Sequence, residues 1–418
     1  MSEHGRASTW GPQRWFEQQW LLDTVIRAEN IDWDQPRSAY TLRPIGTDAG
    51  MEFNWAKSRI RKFEDIAPAF MAAAARRERM AQEAEARGHV VTAREDYFAA
   101  AIMLTPAAWA ITDDDALLRA IYARINADYD GWIRHAPHKV RRFELPFGNA
   151  RLPVLLHLPA GYSGGRVPTI LACGGMDSRK ELLVAQYGER FLARGFAMLA
   201  IDGPGQGEAP LLGAYVTADN WIAAGEVLMT FLLGRPEVDP DRIVAFATSF
   251  GSYWMTQVAA TQPRLKGCAV ERCCHEPGCH TIFECASPSY KKRFMWMSNL
   301  HDEAEFDRMA AKMDLRPLMP QMTVPWLNVI GEKDELSPIK HTLDLAARCG
   351  SPSPIVIYEG ERHALSGAPS LVLGPKFGPI VADWLWDRVN GRAVEEYLDV
   401  ITSDGRVERR PHPRQSAG

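Results

Sequence analysis

The 418-residue chain has no extended basic run, and its 48 Lys and Arg are outnumbered by 52 Asp and Glu, for a net charge of −4. Phosphate binding needs clustered cations, so nucleic acid is excluded as the main partner. Long hydrophobic runs are also missing. The longest apolar stretch, Tyr97 to Ile111, is interrupted by Thr105 and Pro106, and about 20 apolar residues are needed to span a bilayer. The polar start MSEHGRASTWGPQRW lacks the apolar centre of an export signal. Cysteine is scarce and odd in number, seven in all, which excludes a disulfide scaffold. The expectation is a cytoplasmic protein with reduced thiols and no membrane partner. There is no internal repeat, no low-complexity tract and no phosphate-loop or dinucleotide fingerprint.

What is present has a globular composition, 46% hydrophobic and 24% charged. Residues 1–138 read as helical. Pro12 to Asn30 carries Trp15, Phe16, Trp20, Leu21, Val25 and Ile26 as an apolar stripe. An Ala/Arg/Glu-rich segment runs to Gly88. The spacing then predicts a capping box at Thr92–Glu95 and a cap at Thr112 before Asp113, Asp114 and Asp115. Seven of the 13 Trp lie here, at 10, 15, 20, 33, 55, 109 and 132. They either pack the helices or line an aromatic substrate cavity.

From Val140 the grammar changes. β-rich runs occur at 141–147, 152–158, 169–173, 197–201, 243–247, 268–271, 326–330 and 355–358. The first two read as an edge hairpin. The rest alternate with helical or loop stretches, which means crossover units and a mostly parallel sheet. Ile380 to Val389 reads as a closing helix, and 401–418 as a frayed polar tail.

The run Asp239 to Gly251 carries the chemistry. A buried strand leads directly into Ser249 and then into a helix, the context of a serine nucleophile elbow. Gly251 obeys the G-x-S-x-G rule, and Ala247 replaces its first Gly. Serine needs a base oriented by a third group. In chain order, Asp334 follows the strand 326–330 and His363 follows the strand 355–358. Asp334 would orient His363, and His363 would take the Ser249 proton. Glu332 and Glu335 are rivals for the acid; His341 is the rival base, on a helical stretch that would face solvent. The loop Cys173-Gly-Gly-Met-Asp177 can aim backbone N–H groups at an anion. Met176, with Gly175 as its substitute, and Phe250 are the candidate oxyanion donors. Asp202-Gly-Pro-Gly-Gln-Gly-Glu208 reads as a structural loop walling the site.

The run Gly-Gly-Met-Asp-Ser-Arg-Lys-Glu181, the run ending at Glu208 and the Ser249 elbow together resemble the α/β-hydrolase superfamily. They are most similar to the branch of 2,6-dihydroxypseudooxynicotine hydrolase and the fungal polyketide-shortening hydrolases. The helix from Gly88 to Ala101 is similar to that branch's N-terminal helical domain. The resemblance implies an α/β-hydrolase fold with an all-helical lid (1–138), a catalytic domain (139–400) with a small cap segment within it (272–320), and the tail (401–418). It also implies no cofactor, a homodimer and hydrolysis of C–C bonds beside a carbonyl in a small aromatic or polyketide-like molecule. Ester hydrolases belong to the same branch, so ester cleavage is the alternative. A catalytically inactive binding protein on the same fold is a further one.

Residues 271–285 hold four Cys and two His, but Cys273 and Cys274 are adjacent and the spacing is not that of zinc ligand pairs. The reading is pocket lining or packing, with no metal. The resemblance implies an extra acid here, with Glu284 the candidate and Glu276 its rival. Asp177, Phe294 and Trp296 are candidate pocket residues. The helix around Tyr290 to Leu300 either has one solvated face or caps the site.

Overall fold

The structure, a computed structural model, describes residues 10–414. The chain forms two compact units, and the division does not follow the sequence in one cut. One unit holds the described residues through His135 together with Ala286–Met309. The other holds Ala136–Cys285 and the described residues from Ala310 onward.

The first unit is helical: α1 (Gln13–Glu29), α2 (Arg37–Ile45), α3 (Gly50–Lys57), α4 (Ile66–Ala86), α5 (Val90–Ala110) and α6 (Asp115–Arg134). Alanine gives α4 its propensity, and Gly88 at φ +74° ends it with His89 N–H donated to Ala84 O. The next helix starts at Val90, two residues before the expected box, so Thr92 lies inside its first turn and no side chain caps it. The cap of α6 is Asp114, which accepts the Leu117 N–H at 2.9 Å; Thr112 is not the cap. The second half of α5 is buried on every side, as a helix inside a bundle must be. Arg77 on α4 joins Asp96 on α5 (2.5 Å) to Glu52 on α3 (2.8 Å), so the buried charges are paired.

The expected stripe on α1 is only half used. Trp15 and Ile26 are buried and Val25 is half-buried, whereas Phe16, Trp20 and Leu21 are exposed; Leu22, outside the expected stripe, is buried instead. Trp15, Trp33 and Trp109 gather around Phe63 with ring centroids 4.9–6.0 Å apart. Trp132 packs on Tyr129 and Phe98. Trp20 and Trp55 remain exposed.

The helix Pro288–Met297 lies wholly inside this unit and has no solvated face: all ten residues are buried. Its cations are satisfied within the unit. Lys291 pairs with Glu303 and Asp307, Lys292 lies 4.2 Å over the Trp15 ring, and Arg293 donates to Ile111 O. Phe294 packs on Phe306, and Trp296 donates its indole N–H to Asp115.

The second unit is built on a ten-stranded sheet in the order β1-β2-β4-β3-β5-β6-β7-β8-β9-β10. Its strands are β1 (Val140–Phe147), β2 (Ala150–His157), β3 (Val167–Cys173), β4 (Ala197–Ile201), β5 (Val238–Thr248), β6 (Cys268–Glu271), β7 (Trp326–Gly331), β8 (Ile355–Tyr358), β9 (Leu398–Ile401) and β10 (Val407–Arg410). From β4 to β9 in that order all pairings are parallel, while β1/β2, β2/β4 and β9/β10 are antiparallel. The central strands are buried on both faces and read as continuous apolar runs. Of the expected frayed tail 401–418, the part through 410 is ordered, with β10 closing the sheet edge, and His412 is buried with its Nε2 3.0 Å from Ser353 O; residues 415–418 lie outside the described residues. Among the described residues no helix is long and apolar enough to cross a membrane. The parallel run places the loops after β3, β4, β5, β7 and β8 at one end of the sheet, where such folds gather their chemistry.

Candidate active site

Strand β5 passes into the helix Phe250–Thr261 through Ser249, which holds φ +55° and ψ −130°. Positive φ is uncommon for a side chain other than Gly and costs on the order of 1–3 kcal/mol, tolerated where the surroundings fix it. Here they do. Ser249 N–H donates to Glu271 O at 2.9 Å, and Ser252 N–H donates back to Ser249 O at 2.9 Å. The turn brings the chain against the loop after β3. A Cβ at Gly251 would stand 2.3 Å from Gly174 O, and one at Gly175 would stand 2.9 Å from Ser249 Cβ. Neither position admits a larger residue. Ala247 is fully buried in β5 and fits where the pattern has Gly.

The loops after β7 and β8 bring two more side chains to the half-buried Ser249. Its Oγ lies 2.8 Å from His363 Nε2, and His363 Nδ1 lies 2.8 Å from Asp334 Oδ2. His363 and Asp334 are both buried. Asp334 Oδ1 accepts the N–H groups of Leu336 (2.9 Å) and Ser337 (3.0 Å), so its carboxylate is fixed by the turn that carries it. With Nδ1–H donated to Asp334, Nε2 is left to accept from the serine hydroxyl.

The rivals have other work. Glu335 accepts the His363 backbone N–H at 2.9 Å, and Glu332 accepts Gly360 N–H at 2.9 Å. Glu361 is buried and accepts three successive N–H groups, from Ser366, Gly367 and Ala368. All three carboxylates hold the loop that carries the imidazole. His341 does not simply face solvent; it is half-buried, 3.7 Å from Glu276. Burial holds its pKa below the usual histidine value.

Met176 is buried in the loop after β3, and Phe250 opens the elbow helix with its ring 5.0 Å from Trp254. Asp177 is half-buried in the same loop as Met176. The loop after β4 is more than a wall. Lys180 Nζ is buried among Glu208 (2.5 Å), Glu181 (2.8 Å) and Asp202 (3.2 Å). Burial pushes the Asp202 carboxyl up to about 6, with Lys180 pulling the other way. Burial works to lower the Lys180 pKa, but the three carboxylates together carry it well above the usual lysine value. Gln206 donates its amide to both Gly174 O (2.8 Å) and Gly175 O (3.0 Å). This contact was not legible in the sequence, where the run offered only its glycines and charged ends.

The Cys/His segment follows β6. Cys273, Cys274, His275 and Cys279 are buried, while Cys285 and His280 are exposed. His275 has its Nδ1 3.1 Å from Thr342 Oγ1 and packs on Trp326; burial pushes its pKa down to about 3. Burial pushes the Cys273, Cys274 and Cys279 thiols up, and Cys274 N–H donates to Ser252 Oγ at 2.9 Å. Among the described residues no group of three or more His, Cys, Asp or Glu side chains gathers as metal ligands do. Glu276 accepts Thr281 N–H at 2.7 Å; Glu284 is half-buried in the π-helical turn Thr281–Cys285. Phe294 and Trp296 lie in the core of the helical unit, as described above.

Against known proteins, the profile of a family described as Esterase FrsA-like matches residues 72–311. The chain is 34% identical over 163 residues to the 20-hydroxy-prefusarin hydrolase of Gibberella moniliformis, covering 37% of this chain and 38% of that protein. It is 29% identical over 249 residues to an alpha/beta hydrolase of an Acremonium species, covering 57% and 58%. With Esterase FrsA of Escherichia coli it shares 32% identity over 191 residues, 44% of each chain. The chain thus spans less than two thirds of the length of each of these relatives. Among solved structures, the 2,6-dihydroxy-pseudo-oxynicotine hydrolase superposes with a TM-score of 0.72 at 23% identity, over 86% of this chain and 98% of that one. These likenesses show the α/β-hydrolase fold.

Proposed function

The chain belongs to the FrsA-like esterase family, and from that premise we propose that it is a serine hydrolase with Ser249 as nucleophile. The observation that carries this reading is the continuous relay from Ser249 Oγ to His363 to Asp334, 2.8 Å at each step, on an elbow with positive φ. In this reading Ser249 Oγ attacks a carbonyl carbon while His363 Nε2 takes its proton. Asp334 holds the tautomer and stabilises the imidazolium. The N–H groups of Met176 and Phe250 receive the oxyanion. Collapse expels the leaving group, protonated by His363, and water then releases the acyl group from Ser249 by the same steps in reverse.

The bond broken is an ester in the simplest form, since an alcohol leaves with one proton from His363. The family's own description favours it. The second form cleaves a C–C bond beside a carbonyl, in a 1,3-diketone or acyl-phenol. It rests on the resemblance of the Ser249 elbow and its flanking glycine runs to the C–C-cleaving branch; the similarity to a hydrolase named for 20-hydroxy-prefusarin supports a small-molecule substrate for either form. Its leaving group is a carbanion equivalent, which needs an electron sink in the substrate and a proton donor, the role assigned to Glu284. The seven free thiols suit a reducing cytoplasm. The same reading takes the enzyme as a homodimer acting on a small molecule, with light scattering in solution as the check.

The test pairs activated aryl esters with 1,3-diketones. Ser249→Ala should abolish turnover of both and labelling by a fluorophosphonate. Full turnover by a folded Ser249→Ala protein, or a wild-type chain that neither labels nor turns over any substrate, would remove the serine mechanism and favour a binding role. Glu284→Gln should depress diketone cleavage far more than ester cleavage; equal effects would leave the ester form alone.

A further inference from the structure

Gln206 lies outside the Ser249–His363–Asp334 relay, is buried, and spends its whole side chain on one task. Its amide nitrogen donates to two successive carbonyls, Gly174 O at 2.8 Å and Gly175 O at 3.0 Å. Its amide oxygen accepts from Gly203 N–H at 3.3 Å and from the Cys173 thiol at 3.2 Å. The peptide unit is planar and trans, so a C=O and the following N–H point in opposite directions. Fixing Gly174 O therefore fixes the direction of the Gly175 N–H. Fixing Gly175 O fixes that of the Met176 N–H. The same segment lies against the nucleophile, with the Cβ position of Gly175 3.2 Å from Ser249 Oγ.

The loop that carries Gln206 is itself anchored at both ends. Lys180 Nζ reaches Asp202 and Glu208, and Asp202 Oδ1 accepts Lys180 N–H at 2.7 Å. The loop after β3 and the loop after β4 are thus locked to each other, with Gln206 as the contact nearest Ser249.

We infer that Gln206 is the positioning residue of the oxyanion hole: through Gly175 O it aims the Met176 N–H, the donor that acts with the Phe250 N–H, at the carbonyl oxygen that Ser249 activates, and through Gly174 O it holds the residue before it. This rests on the serine-hydrolase reading. It goes beyond it by giving the loop after β4 a part in the reaction. Preorganised donors are worth more in the transition state than in the bound substrate. Loss of the two amide bonds should therefore appear in kcat rather than KM.

The experiment compares wild type, Ser249→Ala, Gln206→Met and Gln206→Glu on an activated aryl ester. Rates are divided by the fraction of Ser249 labelled at the end point of fluorophosphonate treatment. Methionine fills the same volume with no donor. Glutamate has the same shape but, ionised, sets negative charge against two carbonyls. Gln206→Met should lose between about tenfold and a hundredfold in kcat per labelled site, with KM within about threefold. Gln206→Glu should lose at least as much at about pH 8. Its rate relative to wild type should rise toward about pH 5.5, because a protonated carboxyl regains one donor. Dividing by the wild-type rate at each pH removes the pH dependence that the two proteins share. Per-site kcat within twofold of wild type for both Gln206 variants, with Ser249→Ala inert, would overturn the inference and leave the serine mechanism standing. Activity lost only in proportion to labelled protein, with no pH-dependent ratio, would reduce Gln206 to a packing role and overturn it too. A wild type no more active than Ser249→Ala would remove both readings together.

Discussion

At the residue scale the site depends on tautomer and backbone direction more than on the number of contacts. Asp334 gives one oxygen to two backbone N–H groups and the other to His363 Nδ1. An amide at 334 can keep that geometry, but it presents an N–H where the imidazole needs an acceptor. Asp334→Asn is therefore expected to fold normally and lose about 10³–10⁴-fold in kcat on an activated ester. A loss below tenfold would mean that the imidazole does not need that carboxylate. Glu335 acts on the same histidine through its backbone N–H, and Glu335→Gln keeps an acceptor, so a loss of only a few-fold is expected. The ordering of these two effects separates the oriented base from the loop that carries it. That Ser249, Asp334 and His363 would lie near one another was readable because each follows a β-rich run and the three residue types are chemically distinct. Gln206 was not readable, because its contact joins two loops whose approach is set by strand order rather than by any local pattern.

At the element scale, the eight runs read as strands all form strands, whereas β9 and β10 were missed. For β10 the reason is physical: Val407–Arg410 is exposed along its whole length and has one apolar residue in four; β9 does carry buried Leu398, Val400 and Ile401, but in a run of only four residues. Helix starts were misplaced for a related reason. Several Thr and Asp stand near each start, and tertiary packing chooses among them. Between α4 and α6, the buried Asp128 lies beside Glu78, which accepts from Arg124 at 2.7 Å. Burial, and then the Glu78 carboxylate, push the Asp128 carboxyl up to about 8. In the unfolded chain an aspartate titrates near about 4. Between these values the unfolded chain gives up a proton that the folded chain keeps. The stabilisation is therefore full below about pH 4 and is lost as pH rises through about 8. Asp128→Asn stays neutral throughout. It is expected to raise stability by roughly 1 kcal/mol or more at about pH 9 and to change little at about pH 5. Thermal melts at the two pH values check the sign; equal shifts would mean that Asp128 is ionised and solvated in the fold.

At the scale of the whole molecule, the sequence suggests a cut near residue 138, and the packing has a boundary close by, at His135/Ala136, with one segment more. The helical unit takes the segment 286–309 from the far side of the β5–β6 region. Periodicity shows that Pro288–Met297 is a helix, but no local pattern says which surface covers it. Three cations within ten residues suggest solvent, and the fold instead pairs all three. Lys292 caps the Trp15 ring, Trp296 bonds Asp115, Tyr290 bonds Asp34 O, and Gln13 N–H bonds Glu303. Phe294, Met295, Trp296 and Met297 are all buried. At about 1.5–3 kcal/mol for each buried large apolar side chain, they contribute roughly 6–12 kcal/mol. That equals the whole net stability of an ordinary domain, about 5–15 kcal/mol. A fragment of residues 1–138 is therefore expected to keep helical content but lose its cooperative melt and bind a hydrophobic dye. The same fragment carrying residues 286–309 through a flexible Gly/Ser linker should melt cooperatively. Circular dichroism melts of the two fragments decide it. A cooperative transition for 1–138 alone, at the temperature of the extended fragment, would show that the helical unit is continuous in sequence and that the inserted helix only decorates it.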